Sequence, residues 1–525
     1  MNKRIGAGKG KEAKYRYTDD PLKNRLKKNT LTNMVFFILT LPLMFILTPL
    51  ILKFTGKEAY GIWVLAGSIL VFIELFAGLQ TPAALSILVP SYNPKRQAAE
   101  INRLVNTMFF FYAATGALTA LIFFAGKGVL LDLFFKVSAE MAETAAFVLS
   151  FSVYAFLINF VMLGFAYLMG AFSIFYISNT IRIVSSFSRA ALIVGALYAG
   201  FGIKGVVVSQ MAVLILETAA IIFYTKKVFR PLDIGFKYFS FVKLREMISL
   251  GCRLFFSRAA GLISANIDKL MIGYFINPVT AAYYHIGASV SKYVSNIPEI
   301  LGLYSILPAS AELHSKNQRE KLIMLYNRAN KYLFFLAVFI TGGIAVLGEE
   351  FVSLWLGPGY EKVFIVMLVL AAGYTFGLLG YIPMNMLNGI KRVNEVMYVS
   401  IGASALNILL SVVLIWLYGL NGALVSAVIS IVLYSLALYF LFSGIFKCRI
   451  NILDALIKPA LAACAAGGAV LIVNRFPGMH EGWLVFFSKA AAYTVSYGLV
   501  SVFVLAQFDS YDIEQIKEIF RKKRG

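Results

Sequence analysis

Long apolar stretches recur along the whole chain, and each has about the length that a helix needs to cross a lipid bilayer. Fourteen such stretches can be counted, and about 20 helical residues span a hydrocarbon layer of roughly 30 Å. Apolar residues make up 60% of the chain and charged residues only 14%, which excludes an ordinary soluble domain. The sequence therefore predicts an all-α polytopic membrane protein. The fourteen predicted helices are 30–53, 59–84, 103–126, 144–168, 174–199, 203–225, 247–274, 279–308, 329–348, 362–388, 394–418, 421–446, 455–474 and 482–508.

The 48 basic residues are distributed unevenly between the two sides of these helices. With the N-terminus placed in the cytoplasm, 34 of them lie on inward segments, seven on outward segments and seven within the spans. An excess of Lys and Arg in short cytoplasmic loops is typical of membrane proteins. The net charge of +22 therefore indicates orientation, with both termini cytoplasmic, and nucleic acid is not expected as a partner.

Short sequence elements of the first half recur in the second half in the same order. Asn102-Arg103 recurs as Asn327-Arg328, and Gly170 recurs as Gly389. Two further matches complete the series: Ser86-Ile87-Leu88 with Ser305-Ile306-Leu307, and Gly202, Gly205 and Ser209 with Gly419, Gly422 and Ser426. Because six is an even number of crossings, two six-helix lobes would be related by a parallel repeat. Two extra helices would follow them.

This repeat predicts how the chain is divided. A cytoplasmic basic linker would join the two lobes, and a basic tail would lie at each end. The predicted segments are an N-terminal tail at 1–29, an N-lobe at 30–226, the linker at 227–246, a C-lobe at 247–446, the two extra helices at 455–508 and a C-terminal tail at 509–525.

Polar residues at steps of three or four fall inside three predicted helices, so each set lies on one helical face. A charge in the middle of a span is costly, and such residues are usually functional or paired. Helix 5 carries Arg182, Ser186 and Arg189, helix 7 carries Arg253, Ser257, Ser264 and Asp268, and helix 8 carries Ser289, Lys292, Asn296 and Glu299. Helix 7 also contains Arg258.

These charged residues allow two interpretations. They could form interhelical ion pairs that hold the bundle together and contact no ligand. Alternatively, the cations Arg182, Arg189, Arg253, Arg258 and Lys292 outnumber nearby acids and line a cavity for an anionic substrate. The planar guanidinium group is well suited to phosphate oxygens. The carboxylates of Asp268, Glu299 and Glu74 are candidate sites for coupling to Na⁺ or H⁺, but pairing with Lys269, Lys292 or Arg258 explains Asp268 and Glu299 at least equally well.

Three segments of the chain form a recognisable set of motifs: Asn29-Thr-Leu-Thr-Asn33, Gly56-Lys-Glu-Ala-Tyr-Gly-Ile-Trp63 and Asn266-Ile-Asp-Lys-Leu-Met-Ile-Gly-Tyr-Phe275. Together they resemble polysaccharide-exporter proteins, the family of O-antigen and exopolysaccharide flippases. That family belongs to the superfamily of multidrug, oligosaccharidyl-lipid and polysaccharide exporters. The resemblance implies a bacterial or archaeal inner-membrane protein that moves a polyprenyl-diphosphate-linked glycan outward by alternating access.

The resemblance also implies a site and partners. Arg253, Arg258 and Lys292 match by location the cavity cations of related flippases, while helix 1 offers only Asn29 and Asn33 and no arginine. Arg182 and Arg189 would assist them, and Ser257, Ser264, Ser289, Asn296 and Asn33 would accommodate the sugars. Membrane lipids and a polysaccharide polymerase are the other expected partners, and no cofactor is expected beyond a coupling ion.

Two other functions stay open at this stage. A cation-coupled multidrug antiporter of the same superfamily would need an anionic cavity, which the surplus of cations disfavours. A polysaccharide polymerase or ligase would be an enzyme with a large outer loop, and the longest outward connection, at 127–143, has fewer than about 20 residues. The sequence therefore favours a transporter over an enzyme.

Overall fold

The structure, a computed structural model, describes residues 22–79, 81–92, 97–135, 137–301, 303, 306–448, 453–474 and 482–504. Within these ranges the chain is almost entirely helical and contains no β-strand. A bilayer favours this result, because a helix satisfies its own backbone hydrogen bonds where water is absent. The predicted all-α membrane fold class is confirmed.

The chain divides into two compact units, Met1–Ala259 and Ala260–Gly525. The division falls inside one helix, α7, whose first part belongs to the first unit. The helices of the first unit are α1 (Leu22–Gly78), α2 (Thr81–Leu88), α3 (Ala98–Phe134), α4 (Ala142–Ala171), α5 (Phe175–Tyr198), α6 (Gly202–Val228) and the start of α7 (Phe241–Phe275). Those of the second are α8 (Pro278–Ser295), α9 (Ile297–Ile300), α10 (Ile306–Ser315), α11 (Arg319–Leu356), α12 (Glu361–Gly377), α13 (Tyr381–Gly389), α14 (Val393–Phe446), α15 (Lys458–Val473) and α16 (Trp483–Leu499).

Ten helical stretches of the described chain are long and apolar enough to cross a membrane. Two of them, Leu31–Gly78 and Val393–Phe446, are each about twice the length that one crossing needs. Each contains one glycine at which the backbone leaves helical geometry, Gly56 (φ 79°) and Gly419 (φ 59°). Residues with a side chain rarely adopt these positive φ values, so glycine permits the chain to turn between two crossings. The total of fourteen crossings stays a prediction.

The glycines matched by the internal repeat occupy equivalent structural positions. Gly202 and Gly419 both have positive φ, at 54° and 59°, and each precedes an apolar helical segment. A Cβ atom added to Gly205 would lie 2.6 Å from the Cβ atom of Phe201, and one added to Gly422 would lie 1.8 Å from the backbone oxygen of Leu414. In both halves, the sequence pattern therefore marks a tight turn in which the chain packs against itself.

Predicted helix 8, at 279–308, is shorter in the structure than the sequence indicated. The helix ends at Ser295, and a separate short helix begins at Ile297 with Pro298 in its first turn. Proline lacks a backbone N–H donor and disfavours helical geometry in the residue before it, so the helix breaks there. The predicted polar stripe from Ser289 to Glu299 therefore does not follow one continuous helix.

The segment between α6 and α7 is fixed to α3 by buried polar side chains. The Asn106 side chain donates to the Asp233 carbonyl oxygen at 2.7 Å and accepts from the Gly235 amide at 2.8 Å. Asn102 likewise donates to the Pro231 carbonyl oxygen at 2.7 Å. These asparagines are almost completely buried, so their bonds are shielded from competing water. The segment is thus a structured part of the first unit.

Helices α15 and α16 both pack against α11, and α16 does so through polar contacts. The hydroxyl groups of Tyr493 and Tyr497 donate to the carbonyl oxygens of Phe339 and Phe335, at 3.0 and 2.7 Å. The Lys489 ammonium lies 2.8 Å from a carboxylate oxygen of Glu350. The extra helices predicted from the sequence are therefore an integral part of the second unit.

Substitution of Asn106 with leucine should loosen the segment between α6 and α7. The change leaves the Asp233 carbonyl and the Gly235 amide without their partners, at about 1–3 kcal/mol for each buried group. We expect faster hydrogen exchange at residues 231–240 and a lower apparent Tm in detergent. The same substitution at Asn33, which is exposed, should change neither quantity. Unaltered exchange in N106L would show that these bonds do not hold the segment.

Candidate functional site

A single carboxylate, Asp268, is enclosed within the second unit. It lies on α7 and is only 3% exposed. The Tyr284 hydroxyl on α8 donates to one of its oxygens at 2.8 Å, and the Ser411 hydroxyl on α14 donates to the other. Ser426 extends this cluster, with its hydroxyl oxygen 3.3 Å from that of Ser411. Three helices thus converge on one acid.

The described partners of Asp268 are neutral hydroxyl groups. Lys269, Lys292 and Arg258 were possible partners by sequence, but both carboxylate oxygens accept hydroxyl donors, and no ion pair to Asp268 occurs among the described side chains, which do not include that of Arg258. Lys269 donates to the side-chain oxygen of Asn266 at 3.0 Å. A buried carboxylate held by hydroxyl donors can be neutralised by a proton or a cation.

Sequence reasoning identified Asp268 but missed the residues around it. Tyr284 lies beside the polar residues of α8 and Ser411 lies on a mainly apolar helix, and single hydroxyl residues in a span are common. Ser426 did carry a signal, since it is the repeat counterpart of Ser209. Ser209 donates to the Leu192 carbonyl oxygen and contacts no acid in the described structure. The repeat therefore marks the position without revealing its role in the second unit.

In the first unit, Arg189 on α5 forms an ion pair with Glu217 on α6. The two side chains approach to 3.3 Å, with Glu217 6% exposed and Arg189 37% exposed. Part of the positive charge attributed to the predicted cavity is therefore neutralised within the lobe. Arg182, seven residues earlier on the same helix, is exposed.

Glu74, the third candidate coupling acid, also lies in the first unit. Its carboxylate accepts a hydrogen bond of 3.2 Å from the Asn159 side chain on α4. It is half-buried, so it is less isolated from solvent than Asp268. The three candidate acids thus differ in burial, since Asp268 is buried, Glu74 is half-buried and Glu299 is exposed.

Of the predicted cavity residues of α7 and α8, Arg253, Ser257 and Arg258 belong to the first unit and the others to the second. The backbone of Arg253, Ser257, Arg258 and Ser264 belongs to α7, but their side chains lie outside the described part of the structure. On the second unit, Lys292 and Glu299 are exposed, and Ser289 and Asn296 are half-buried. That these residues form one cavity stays a prediction.

Asn29 and Trp63, from two of the motifs that resemble the exporter family, have structural roles. Asn29 on α1 donates to the Ser173 carbonyl oxygen at 3.1 Å and accepts from the Tyr176 amide at 2.8 Å. It thereby fixes the turn between α4 and α5 and satisfies a free amide at the start of α5. Trp63 of the second motif donates to the side-chain oxygen of Gln210 at 3.2 Å. Asn33, predicted to line the cavity, is exposed.

These features define a multi-pass membrane protein with ionisable groups enclosed in each of its two units. A family model described as "Polysaccharide biosynthesis protein" matches residues 26–314, which is more than half of the chain. The chain belongs to this family, and the resemblance found in its motifs is confirmed.

Two relatives extend the comparison. The membrane protein EpsK of Bacillus subtilis is 23% identical over 517 residues, covering 95% of this chain and 98% of EpsK. The membrane protein MJ1068 of Methanocaldococcus jannaschii is 26% identical over 268 residues, covering 48% of this chain and 50% of the relative. The similarity to EpsK therefore runs through both units.

Solved structures share the fold. The structure of "Lipid II flippase MurJ, inward closed conformation" matches with a TM-score of 0.69 at 16% identity, covering 90% of this chain and 98% of MurJ. An inward-facing multidrug-resistance transporter of the MATE family, in the MOP superfamily, matches with a TM-score of 0.63 at 13% identity, covering 82% of this chain and 98% of the transporter. At these identities the likeness establishes the fold.

The ion pair between Arg189 and Glu217 should make the two residues interdependent. R189L leaves the buried Glu217 carboxylate without its partner, and we expect a loss of about 1–3 kcal/mol, reduced by the partial exposure of the arginine. E217L should cost less, because the remaining guanidinium group is more exposed. The double variant should recover part of the loss, as measured by apparent Tm in detergent.

A solvent-exposed pair in the same unit serves as a control. Lys204 and Glu143 approach to 2.7 Å, with side chains 42% and 87% exposed. Water screens exposed pairs and they contribute little to stability, so K204L should barely change the Tm. Purely additive effects of R189L and E217L would contradict the proposed interdependence.

Proposed function

We propose that this protein is a flippase that moves a polyprenyl-diphosphate-linked oligosaccharide across the cytoplasmic membrane for cell-surface polysaccharide assembly. The family match over residues 26–314 is the observation that carries this proposal. The fold of a lipid II flippase, shared over 98% of that protein, supports it. An alternating-access transporter is consistent with two repeated lobes. On this proposal the protein is a transporter and not an enzyme, and both of its termini are cytoplasmic.

The diphosphate would be bound by cations. Arg253 and Arg258 on α7 and Lys292 on α8 are the residues we assign to it, with Arg182 assisting from α5. Guanidinium groups give paired, charge-assisted hydrogen bonds to phosphate oxygens, which lysine complements as a point charge. Arg189 contributes less, because Glu217 already neutralises it.

The sugars require neutral polar groups. Ser257, Ser264, Ser289, Asn296 and Asn33 are the residues we assign to them, since hydroxyl and amide groups both donate and accept hydrogen bonds. Such groups allow different glycans to be accommodated. A polysaccharide polymerase on the outer side is the expected consumer of the translocated lipid.

Asp268 is the residue we assign to ion coupling. It is enclosed by α7, α8 and α14, with hydroxyl donors at both oxygens. Binding of H⁺ or Na⁺ would neutralise the carboxylate and weaken the hydrogen bonds that it accepts from those hydroxyl groups. The packing of the three helices would then differ between the ion-bound and the ion-free site. Such a difference can shift the equilibrium between two conformations of the lobe. Glu74 is a weaker candidate because it is less buried, and Glu299 because it is exposed.

Loss of the cations should abolish flipping. In proteoliposomes that contain a fluorescent polyprenyl-diphosphate sugar, wild-type protein should expose the probe to an outer-leaflet quencher. The triple variant R253Q/R258Q/K292Q should reduce this rate at least about tenfold, because each lost charge contact with phosphate is worth about 1.5–3 kcal/mol. Vesicles without protein give the background rate.

A charge-matched variant controls for net charge. K53Q/K57Q/K362Q also removes three positive charges, at positions predicted to lie on the outward side, and should flip normally. Equal rates in wild type and R253Q/R258Q/K292Q, at equal reconstitution, would rule out the cationic site. Absence of flipping with several head groups, together with efflux of a drug cation, would favour the multidrug antiporter.

Substitution of Asp268 with asparagine should uncouple transport from the ion that drives it. Asparagine has nearly the same size but cannot be protonated or compensate a cation. We expect D268N to lose the acceleration that an imposed Na⁺ or H⁺ gradient produces, with each gradient applied separately. E299Q, which changes an exposed acid, should retain it. Full gradient stimulation of D268N would move the coupling site elsewhere.

A further inference from the structure

An open groove runs between α5 and α6 on the first unit, with a volume of about 530 Å³. This volume falls within the range of about 300–1,000 Å³ that small-molecule sites occupy. Its walls are mainly aliphatic, from residues such as Ile181, Val184, Val213 and Leu216. Val184 and Leu216 are 61% and 66% exposed, so the groove is lined by apolar groups that no other described part of the unit covers.

The groove has the depth of one leaflet. Its lining on α5 extends from Tyr176 to Ser188, and on α6 from Val213 to Tyr224. At a rise of 1.5 Å per residue these distances are about 18 and 16 Å. Half of a hydrocarbon core is roughly 15 Å thick. An apolar cleft of this length matches one extended acyl chain.

One end of the groove carries aromatic rings and cations. Tyr176 and Tyr224 both line the groove there. The Lys28 ammonium lies 5.6 Å from the ring centre of Tyr176, and the Lys227 ammonium lies 5.7 Å from that of Tyr224. Tyrosine and lysine are typical of the level of lipid head groups. The distribution of basic residues predicts that this end is cytoplasmic.

The other end approaches the ion pair. Glu217 lines the groove and accepts from Arg189. An apolar chain seated in the groove would keep water from this pair and strengthen it, because charges attract more strongly at low dielectric. An empty cleft would forfeit van der Waals contacts along its full length. The groove thus has cations at its mouth, apolar residues along its walls and a neutralised ion pair towards its other end.

We propose that this groove binds one acyl chain of an anionic phospholipid, with the phosphate held at the mouth beside Lys28 and Lys227. The cationic mouth and the one-leaflet depth select this ligand. A polyprenyl chain is several times longer than the groove, so only its first units would fit. The site goes beyond the proposed flippase activity and does not depend on it, since it lies within one unit.

Native mass spectrometry of the full chain, released from detergent, tests this site. Phosphatidylglycerol and phosphatidylcholine with identical acyl chains are titrated separately, and a polyprenyl phosphate is titrated in a third arm. We expect one phosphatidylglycerol to bind tightly to wild-type protein. K28Q/K227Q should weaken it roughly 10- to 30-fold, since each lysine near a lipid surface is worth about 1 kcal/mol. The affinity of K28Q/K227Q for phosphatidylcholine should equal that of the wild type.

A pair of variants on α6 separates the groove from the rest of the surface. A220F places a ring into the groove, because Ala220 lines it, and should remove the tight phosphatidylglycerol adduct. I215F places the same ring at an exposed position of α6 outside the lining and should leave binding intact. An unchanged apparent Tm in both variants verifies that they are folded.

Three results would overturn the proposal. They are equal retention of phosphatidylglycerol by A220F and wild type, equal affinity for the two phospholipids in the wild type, and tight binding of polyprenyl phosphate without phosphatidylglycerol. The last result would assign the groove to the transported lipid. Flipping in proteoliposomes is measured by leaflet exposure, so failure of the flippase proposal would be seen independently of these adducts.

Discussion

The hydrocarbon interior of a membrane supplies no hydrogen bonds, and this constraint governs both units of the protein. Backbone groups are satisfied within helices, and ionisable side chains need partners from neighbouring helices. The structure meets the second requirement in two ways. Arg189 and Glu217 neutralise each other across α5 and α6, whereas Asp268 is held by neutral hydroxyl groups from α8 and α14. The ion pair is suited to holding two helices together, whereas a carboxylate bound by neutral groups is suited to changing its charge state.

The same constraint explains the structural role of several asparagine residues. Asn29, in a family motif, supplies a donor and an acceptor to the turn between α4 and α5, where backbone groups lack helical partners. Asn102 and Asn106, outside the motifs, do so for the segment between α6 and α7. Each asparagine replaces water at a place where the chain must leave a helix.

The helical class, the membrane location and the duplicated glycines follow from residue order. Apolar stretches of bilayer length predict helices because no other open structure is stable in lipid. The pairs Gly202 with Gly419 and Gly205 with Gly422 were predicted to correspond, and they occupy matching turns. The sequence predicted a longer helix 8 than the structure contains, because the apolar pattern continues across Pro298 while the helical backbone does not. Periodicity reports which faces are apolar, but one proline decides where a helix ends.

The sequence by itself thus determined that this is a helical membrane protein of the polysaccharide-exporter kind, and it identified Asp268 and Arg189 as ionisable residues within spans. Only the tertiary structure decided which of them are paired. Glu217 and Arg189 are 28 residues apart and Asp268 and Ser411 are 143 residues apart, so no local spacing rule connects them. The groove between α5 and α6 also depends on how two helices pack. Helix formation is a local property of the chain, whereas charge compensation and cavities arise from contacts between residues distant in sequence.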